Sequence, residues 1–258
     1  MQEKWALITG ATSGIGWATA KALARMGFSV WATGRRQERL QELVHEIKQA
    51  SPQIQVKTDV LDITDREKVT QWMEINRAAL SKVTVLVNNA GLAKGTDKMQ
   101  ESNLNDWDEM IDTNIKGLLY MTRGVVAEMV KNNHGHIVNL GSVAGKYTYP
   151  GGGVYCATKF AVRALTEGLR MDLLGTKIRV TNIEPGMVNT EFSLVRFNDQ
   201  SKADKVYEGM TPLSADDIAE TIAWCVARPA HVNIQELVIY PTAQAHVGQV
   251  ARRTPAEL

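Results

Sequence analysis

An apolar run, Trp5-Ala6-Leu7-Ile8-Thr9, passes directly into Gly10-Ala11-Thr12-Ser13-Gly14-Ile15-Gly16 and then into a helical stretch through Ala18, Ala20, Lys21, Ala22 and Leu23. A buried strand, a glycine-rich turn and a helix in that order leave few folds open. Gly10 permits the tight turn, Gly14 leaves room for backbone to approach a bound anion, and Gly16 lets helix and strand pack closely. The helix N-terminus directs its unpaired N–H groups at the turn, so Gly10, Thr12, Ser13, Gly14, Ile15 and Gly16 read as a pyrophosphate cradle.

Beyond the turn the chain keeps alternating short Val/Ile/Leu-rich runs with amphipathic segments. Strands are expected over 5–9, 28–33, 53–59, 83–88, 136–140, 178–184 and 236–240. Their continuous apolar character is that of strands covered on both faces. Helices are expected over 36–50, over 64–80 with Thr64 and Glu67 as a capping box, over 103–130, over 155–174 closed by Gly175, and from Ser214 to Ala227. No linker, composition shift or repeat divides the chain, so residues 1–258 read as one α/β domain of the Rossmann type, a doubly wound parallel sheet of about seven strands with helices on both faces. The least regular part, 186–212, follows the sixth strand, where such sheets place ligand-facing loops; it reads as a mobile substrate-binding flap. Residues 241–258 read as a tail that reaches a neighbouring subunit or closes a substrate pocket, frayed from Ala251 onward.

Charge excludes some partners. The 258 residues carry 29 Lys+Arg against 28 Asp+Glu, a net +1, with no basic stripe, so attraction to nucleic acid or to a membrane surface is not expected. Nor is there an apolar run of the ~18 residues a bilayer span needs. The start of the chain, Met1-Gln2-Glu3-Lys4, lacks the basic and apolar regions of a secretory signal. With two cysteines, Cys156 and Cys225, and no disulfide framework, a cytoplasmic protein is expected. His134 and His136 flank Gly135 without a carboxylate or cysteine cluster, so no metal is expected.

The second strand ends in Thr33-Gly34-Arg35-Arg36, where an NAD site would offer a carboxylate to the ribose hydroxyls. Two guanidiniums there suit a 2′-phosphate instead, which points to NADP(H). Tyr155 and Lys159 stand four apart on one helix face, Ser142 lies just past the fifth strand, and Asn114 falls within the preceding long helix. All four reach the carboxyl edge of the sheet.

With those residues the chain resembles the short-chain dehydrogenase/reductase family over essentially its whole length. TGATSGIG, Asp59-Val60, Asn88-Asn89-Ala90-Gly91, Asn114, Ser142, Tyr155-Cys156-Ala157-Thr158-Lys159 and Pro185-Gly186 all occur in the family's order. The resemblance implies that Asp59 and Val60 flank the adenine, that Asn88 to Gly91 steady the sheet beside the coenzyme, and that Pro185, Gly186, Val188 and Thr190 lie over the nicotinamide. It further implies hydride transfer at a carbonyl carbon, with Tyr155 exchanging the proton on the oxygen. A phenol has an ordinary pKa of about 10, so Lys159 is expected to favour the phenolate and to bind the nicotinamide ribose. Ser142 holds the substrate oxygen and Asn114 positions a water behind Lys159 for proton relay.

Within the family, Ala32 to Leu40, Ile111-Asp112-Thr113-Asn114, Ile183-Glu184-Pro185-Gly186 and Thr190 to Phe197 are most similar to the NADP-dependent 3-hydroxy acid, serine-type, dehydrogenases. Arg196 then either pairs with the carboxylate of a small acidic substrate or is an ordinary exposed flap arginine. Tyr149, and Tyr147 before it, either line the same pocket or merely pack. The substrate expected is a small hydroxy acid or its semialdehyde. The alternatives are a sulfonate, as in sulfoacetaldehyde reduction, a broad carbonyl reductase for neutral ketones, and a non-catalytic NADP(H) sensor. A homotetramer is expected, since family members pair the Asn114 and Tyr155 helices across subunits.

Overall fold

The computed structural model describes residues 4–253. The first three residues of the N-terminal reading and 254–258 of the expected frayed tail lie outside the described residues. Seven strands form one parallel sheet: β1 (Trp5–Ile8), β2 (Ser29–Gly34), β3 (Val56–Val60), β4 (Val83–Asn88), β5 (Gly135–Leu140), β6 (Ile178–Pro185) and β7 (Glu236–Ile239). Their order is β3-β2-β1-β4-β5-β6-β7. The chain runs outward from β1 to β3 and then returns to add β4 on the other side of β1, so the crevice of the doubly wound sheet opens above β1 and β4.

Successive strand residues feed opposite cores. Ile8, Val30, Val85, Val87 and Val138 enter one, with Leu23, Leu40 and Ile222 from the helices on that face. Leu7, Trp31, Leu86, Ile137 and Val180 enter the other, with Trp72, Met121 and Val125. Alternation with apolar residues on both sides is why these strands read as unbroken hydrophobic runs.

The first face carries α1 (Gly14–Arg25), α2 (Gln37–Ala50) and α10 (Ala215–Val226). Ser214 and Asp217 form a reciprocal capping box on α10, which fixes the start of that helix where expected. The helix expected over 64–80 differs in two ways. Asp62 Oδ1 accepts from both the Thr64 amide and hydroxyl, so Thr64 is already used and Asp65 caps α3 (Arg66–Ile75) by accepting from the Lys68 amide. Asn76, whose side chain bonds the Trp72 carbonyl and Lys57, then separates α3 from α4 (Arg77–Leu80).

The long helix expected over 103–130 is three pieces: α5 (Leu104–Ile111), a π-helical segment (Asp112–Gly117) and α6 (Leu118–Asn132). α7 (Gly153–Asp172) begins before Tyr155 and is followed by Gly175 at φ +88°.

The 186–212 stretch is more ordered than expected. It holds α8 (Glu191–Phe197), capped by Thr190, and α9 (Gln200–Tyr207), capped by Asp199. Its two ends are tied together, because the Leu213 amide donates to Met187 and the Asn189 amide to Leu213. The tail forms a small hairpin, β8 (Gln244–His246) with β9 (Gln249–Val250). Residues 251–253, expected to fray, instead dock on the flap, with the Arg253 amide donating to Gly209 and Arg252 to Val206.

Candidate active site

A cleft of about 700 Å³ runs along the carboxyl edge of the sheet, from Arg35 and Arg36 at one end to Tyr149 and Arg196 at the other. Its floor is the glycine-rich turn. Gly10 and Gly14 adopt φ of +63° and +53°, conformations that resist a side chain. A Cβ on Gly16 would stand 2.5 Å from the Gly10 carbonyl and 2.4 Å from Asn89 Nδ2, so Gly16 serves the helix–strand contact and not the cleft wall. Ser13 occupies the N-cap of α1 without a side-chain bond to that helix, which leaves its first N–H groups to the cleft.

The Asn88 to Gly91 segment divides between support and wall. Asn88 is buried and donates to Thr122 and Asn139, each at 2.8 Å, tying β4 to α6 and β5 beneath the site. Asn89 donates to the carbonyls of Thr9 and Gly10, and the amides of Asn89 and Ala90 both donate to Thr9 Oγ1. Asn89, Ala90 and Gly91 border the cleft, as do Thr12, Ser13, Ile15, Pro185, Gly186, Val188 and Thr190.

Asp59 and Val60 are not on that wall. Both indole N–H groups of Trp31 and Trp72 donate to Asp59 Oδ2, at 2.7 and 3.0 Å, which turns the carboxylate into the side of β3, and Val60 is exposed. The residues that border the cleft come just after the strand: Leu61, Asp62 and Ile63, opposite Thr113.

At the other end, Tyr155 and Lys159 are buried on the first turns of α7, and Ser142 caps a short turn after β5 by accepting from the Ala144 amide at 3.1 Å. Lys159 Nζ donates to the Leu140 carbonyl at 2.8 Å and lies 5.9 Å from the Tyr155 ring centroid. Burial pushes the Tyr155 phenol well above its ordinary value. The neighbouring Tyr149 adds to the rise, and the hydrogen bond with Ser142 and the Arg196 guanidinium oppose it. Burial also pushes Lys159 down to about 8. Removal from water is the largest influence on both groups and moves them in opposite directions, while the Lys159 ammonium is held on a backbone carbonyl.

Asn114 sits in the π-helical segment, off the cleft wall. Its Oδ1 accepts from the Leu92 amide at 2.8 Å, and its Nδ2 donates to the Leu92 carbonyl at 2.8 Å and to Thr158 at 3.0 Å. A side-chain amide that pairs with another segment's backbone in both directions is what the widened turn accommodates. A Cβ built on Gly91 would lie 3.2 Å from Asn114 Oδ1 and 3.6 Å from Lys159 Nζ, so the two groups converge behind Gly91.

Arg196 faces inward. It donates to the Gly95 carbonyl at 3.1 Å and to the Tyr149 hydroxyl at 2.8 Å, and its guanidinium carbon lies 5.9 Å from the Tyr155 ring centroid. Tyr149 shares the cleft, whereas Tyr147 is not on its wall and packs tilted against His246, with ring centroids 4.2 Å apart. His136 is buried against Thr181, and burial takes its pKa down to about 3. Among the described residues no group of three or more His, Cys, Asp and Glu is placed to hold a metal ion, and no helix is long and apolar enough to cross a membrane.

The sequence profile of the short chain dehydrogenases matches residues 4–201. The chain belongs to that family. It is similar to the NADP-dependent 3-hydroxy acid dehydrogenase YdfG of Shigella flexneri, 47% identical over 244 residues that span 94% of this chain and 96% of that one. Sulfoacetaldehyde reductase 2 of Chromohalobacter salexigens is 48% identical over 241 residues, 93% of this chain and 94% of that one. Among solved structures, the closed form of serine dehydrogenase complexed with NADP+ superposes with a TM-score of 0.89 at 45% identity, covering 97% of this chain and all of that one.

In this short-chain dehydrogenase, sequence reasoning missed the 61–63 step, the Glu191 and Phe192 wall of the flap, and Gln244 of the tail, all on the cleft; Val247 lies there too, within the tail expected either to close a substrate pocket or to reach a neighbouring subunit. Asp62 and Ile63 carried a usable signal, because ligand-facing loops begin where a strand ends and β3 ends at Val60. Gln244 carried none, since its bond to the Met187 amide depends on the tail folding back.

Proposed function

We propose that this protein is an NADP(H)-dependent oxidoreductase that interconverts a small hydroxy acid and its carbonyl partner. The observation that carries the reading is Arg196, held by Tyr149 and Gly95 with its guanidinium in the same cleft as Tyr155 and Ser142. A fixed cation beside a proton donor selects a substrate with an anionic group at one end and a reacting oxygen at the other. The names of the relatives, a 3-hydroxy acid dehydrogenase and a serine dehydrogenase with NADP+, support it.

The residues present fit the coenzyme. Two positive-φ glycines and an open helix N-terminus suit a pyrophosphate, and Arg35 and Arg36, with no carboxylate, follow the end of β2 at Gly34. In this proposal Gly10, Thr12, Ser13, Gly14 and Ile15 hold the phosphates, and Arg35 and Arg36 hold the 2′-phosphate. Asp62 and Ile63 take the adenine in place of Asp59 and Val60. Asn89, Ala90, Gly91, Lys159, Pro185, Gly186, Val188 and Thr190 surround the nicotinamide ribose and ring. Bound NADP(H) supplies or accepts the hydride.

The chain's own groups handle the proton. Ser142 and Tyr155 hold the substrate oxygen, and Tyr155, which keeps its proton near neutrality, donates it as the carbonyl is reduced. Lys159, at about 8, is the stronger acid of the two and returns a proton to the phenolate, with Asn114 behind it in the relay. Within this reading residues 1–258 act as one domain, 186–212 as the substrate-binding loop and 241–258 as the closing tail. The enzyme works in the cytoplasm as a homotetramer. Leu119 on α6 and Phe160 on α7 face outward where subunits would meet, and light scattering checks for four copies.

A substrate panel tests the proposal. Serine and 3-hydroxypropionate should be oxidised with NADP+, and Arg196→Met should raise their KM at least tenfold while changing that of a neutral aromatic ketone little. Equal effects on both classes would make the protein a broad carbonyl reductase. Faster turnover of isethionate than of either carboxylate would favour the sulfonate reading, which the sulfoacetaldehyde reductase relative supports. NADPH binding without turnover across the panel, in wild type and Tyr155→Phe alike, would mark a sensor.

A further inference from the structure

The guanidinium of Arg36 has a second partner. Its Nη2 lies 2.9 Å from Glu191 Oε2. Nε and Nη2 also donate to Thr12 Oγ1 at 3.3 and 3.2 Å, and Nη2 to the Thr12 carbonyl at 3.3 Å. Arg36 follows β2 and Glu191 opens α8, so the ion pair spans the mouth of the cleft. Beneath it Thr190 rests on the glycine-rich turn, 3.2 Å from where a Cβ on Gly14 would stand. The start of the flap is thus seated on the phosphate cradle and strapped to the opposite rim. Glu191 is at home in the first turn of α8 whether or not Arg36 is near, because that end of a helix favours a carboxylate. The two side chains are 45% and 42% exposed, and an ion pair that open to water is weak and readily exchanged.

Resting on the NADP(H) reading, we propose that Glu191 is a coenzyme-discriminating residue. Arg36 releases Glu191 on taking a 2′-phosphate, and a dinucleotide without that phosphate leaves the strap closed. A phosphomonoester carries nearly two negative charges at neutral pH and three acceptor oxygens, against one charge and two oxygens on the carboxylate. Glu191 and the phosphate are also like charges competing for one guanidinium, and the half-exposed carboxylate is free to turn into solvent. Glu191 therefore lowers the affinity for the phosphorylated coenzyme, and in exchange couples its arrival to the release of α8.

Direct binding tests this. In Glu191→Gln, the Kd for NADPH, read by fluorescence of the bound nicotinamide, should fall about two- to fivefold while the Kd for NADH stays unchanged. In an Arg36→Gln background, Glu191→Gln should alter neither. As a second readout, adenosine 2′,5′-bisphosphate should speed hydrogen exchange at the start of α8 in the wild type, and 5′-AMP should not. Weaker NADPH binding in Glu191→Gln, equal tightening of both coenzymes, or persistence of the effect without Arg36 would overturn the strap. A wild type that binds NADH as well as NADPH would overturn the NADP(H) reading itself, whereas NADPH preference with no response to Glu191→Gln would remove only the strap.

Discussion

Burial moves Tyr155 and Lys159 in opposite directions, the phenol up and the ammonium down to about 8. Their ordinary order of acidity is reversed, and proton flow from Lys159 to the Tyr155 phenolate becomes downhill. Reduction should therefore hold its rate at neutral pH and decline as pH rises through about 8, where Lys159 loses its proton, a profile read from kcat in steady-state assays. Tyr155→Phe should lower kcat by roughly 10²- to 10⁴-fold with NADPH binding intact, the range for loss of a positioned proton donor. Individual site residues were legible in the sequence where one segment holds them. Tyr155 and Lys159 share a helix, and the glycine turn is contiguous. The Arg196–Tyr149–Gly95 contact joins three separate segments, so spacing could not decide between an anion hook and a surface arginine. Asp59 misled because its carboxylate matched a motif while Trp31 and Trp72, neither adjacent in sequence, had claimed it.

Elements were legible where periodicity runs long enough. β4 and α10 fall at the expected residues because a continuous apolar run and a capping box mark their limits. α8 and α9 were hidden because they are short, and each is specified mainly by its cap. The π-helical segment was hidden because what widens it, the Asn114–Leu92 pairing, comes from another part of the chain. β6 carries a titration of its own. Glu184 is fully buried next to Asn182 and Lys146, and burial, helped by the negative Glu236, lifts its pKa to about 7 against the opposing Lys146. A carboxyl whose folded pKa is raised binds its proton more tightly folded than unfolded, so its contribution to stability is lost as pH rises from about 4.5 to about 7. Glu184→Gln removes that titration and leaves Lys146 its pairing with Glu236. The stability of the variant relative to wild type, from urea melts across that window, should climb toward higher pH by as much as ~3 kcal/mol. A flat difference would show that Glu184 is ionised throughout.

At the scale of the whole molecule, the strand order follows from the alternation of runs, and the crevice above β1 and β4 follows from the order. What the sequence left open is how the far end of the chain meets that crevice. The tail turns back after β7 and ties both ends of the flap. Gln244 Oε1 accepts from the Met187 amide at 2.8 Å at the flap's start, and the Arg253 amide donates to Gly209 at 2.8 Å near its end. Val247 meanwhile reaches the cleft wall. Gln244 is buried with both ends of its amide paired, since Nε2 donates to the His246 carbonyl at 3.2 Å. Gly186 must be glycine for it to fit, as a Cβ there would stand 2.3 Å from Gln244 Oε1. Removing the amide leaves the half-buried Met187 amide without its acceptor, a loss of about 1–3 kcal/mol that falls on the flap's closed position and not on the sheet. Gln244→Ala should therefore speed protease cleavage in the Asn198 turn between α8 and α9 on the order of tenfold and raise substrate KM, with the melting temperature shifted by only a few degrees. A collapse of the melting temperature with no selective cleavage would place the role of the tail in the core instead of at the cleft.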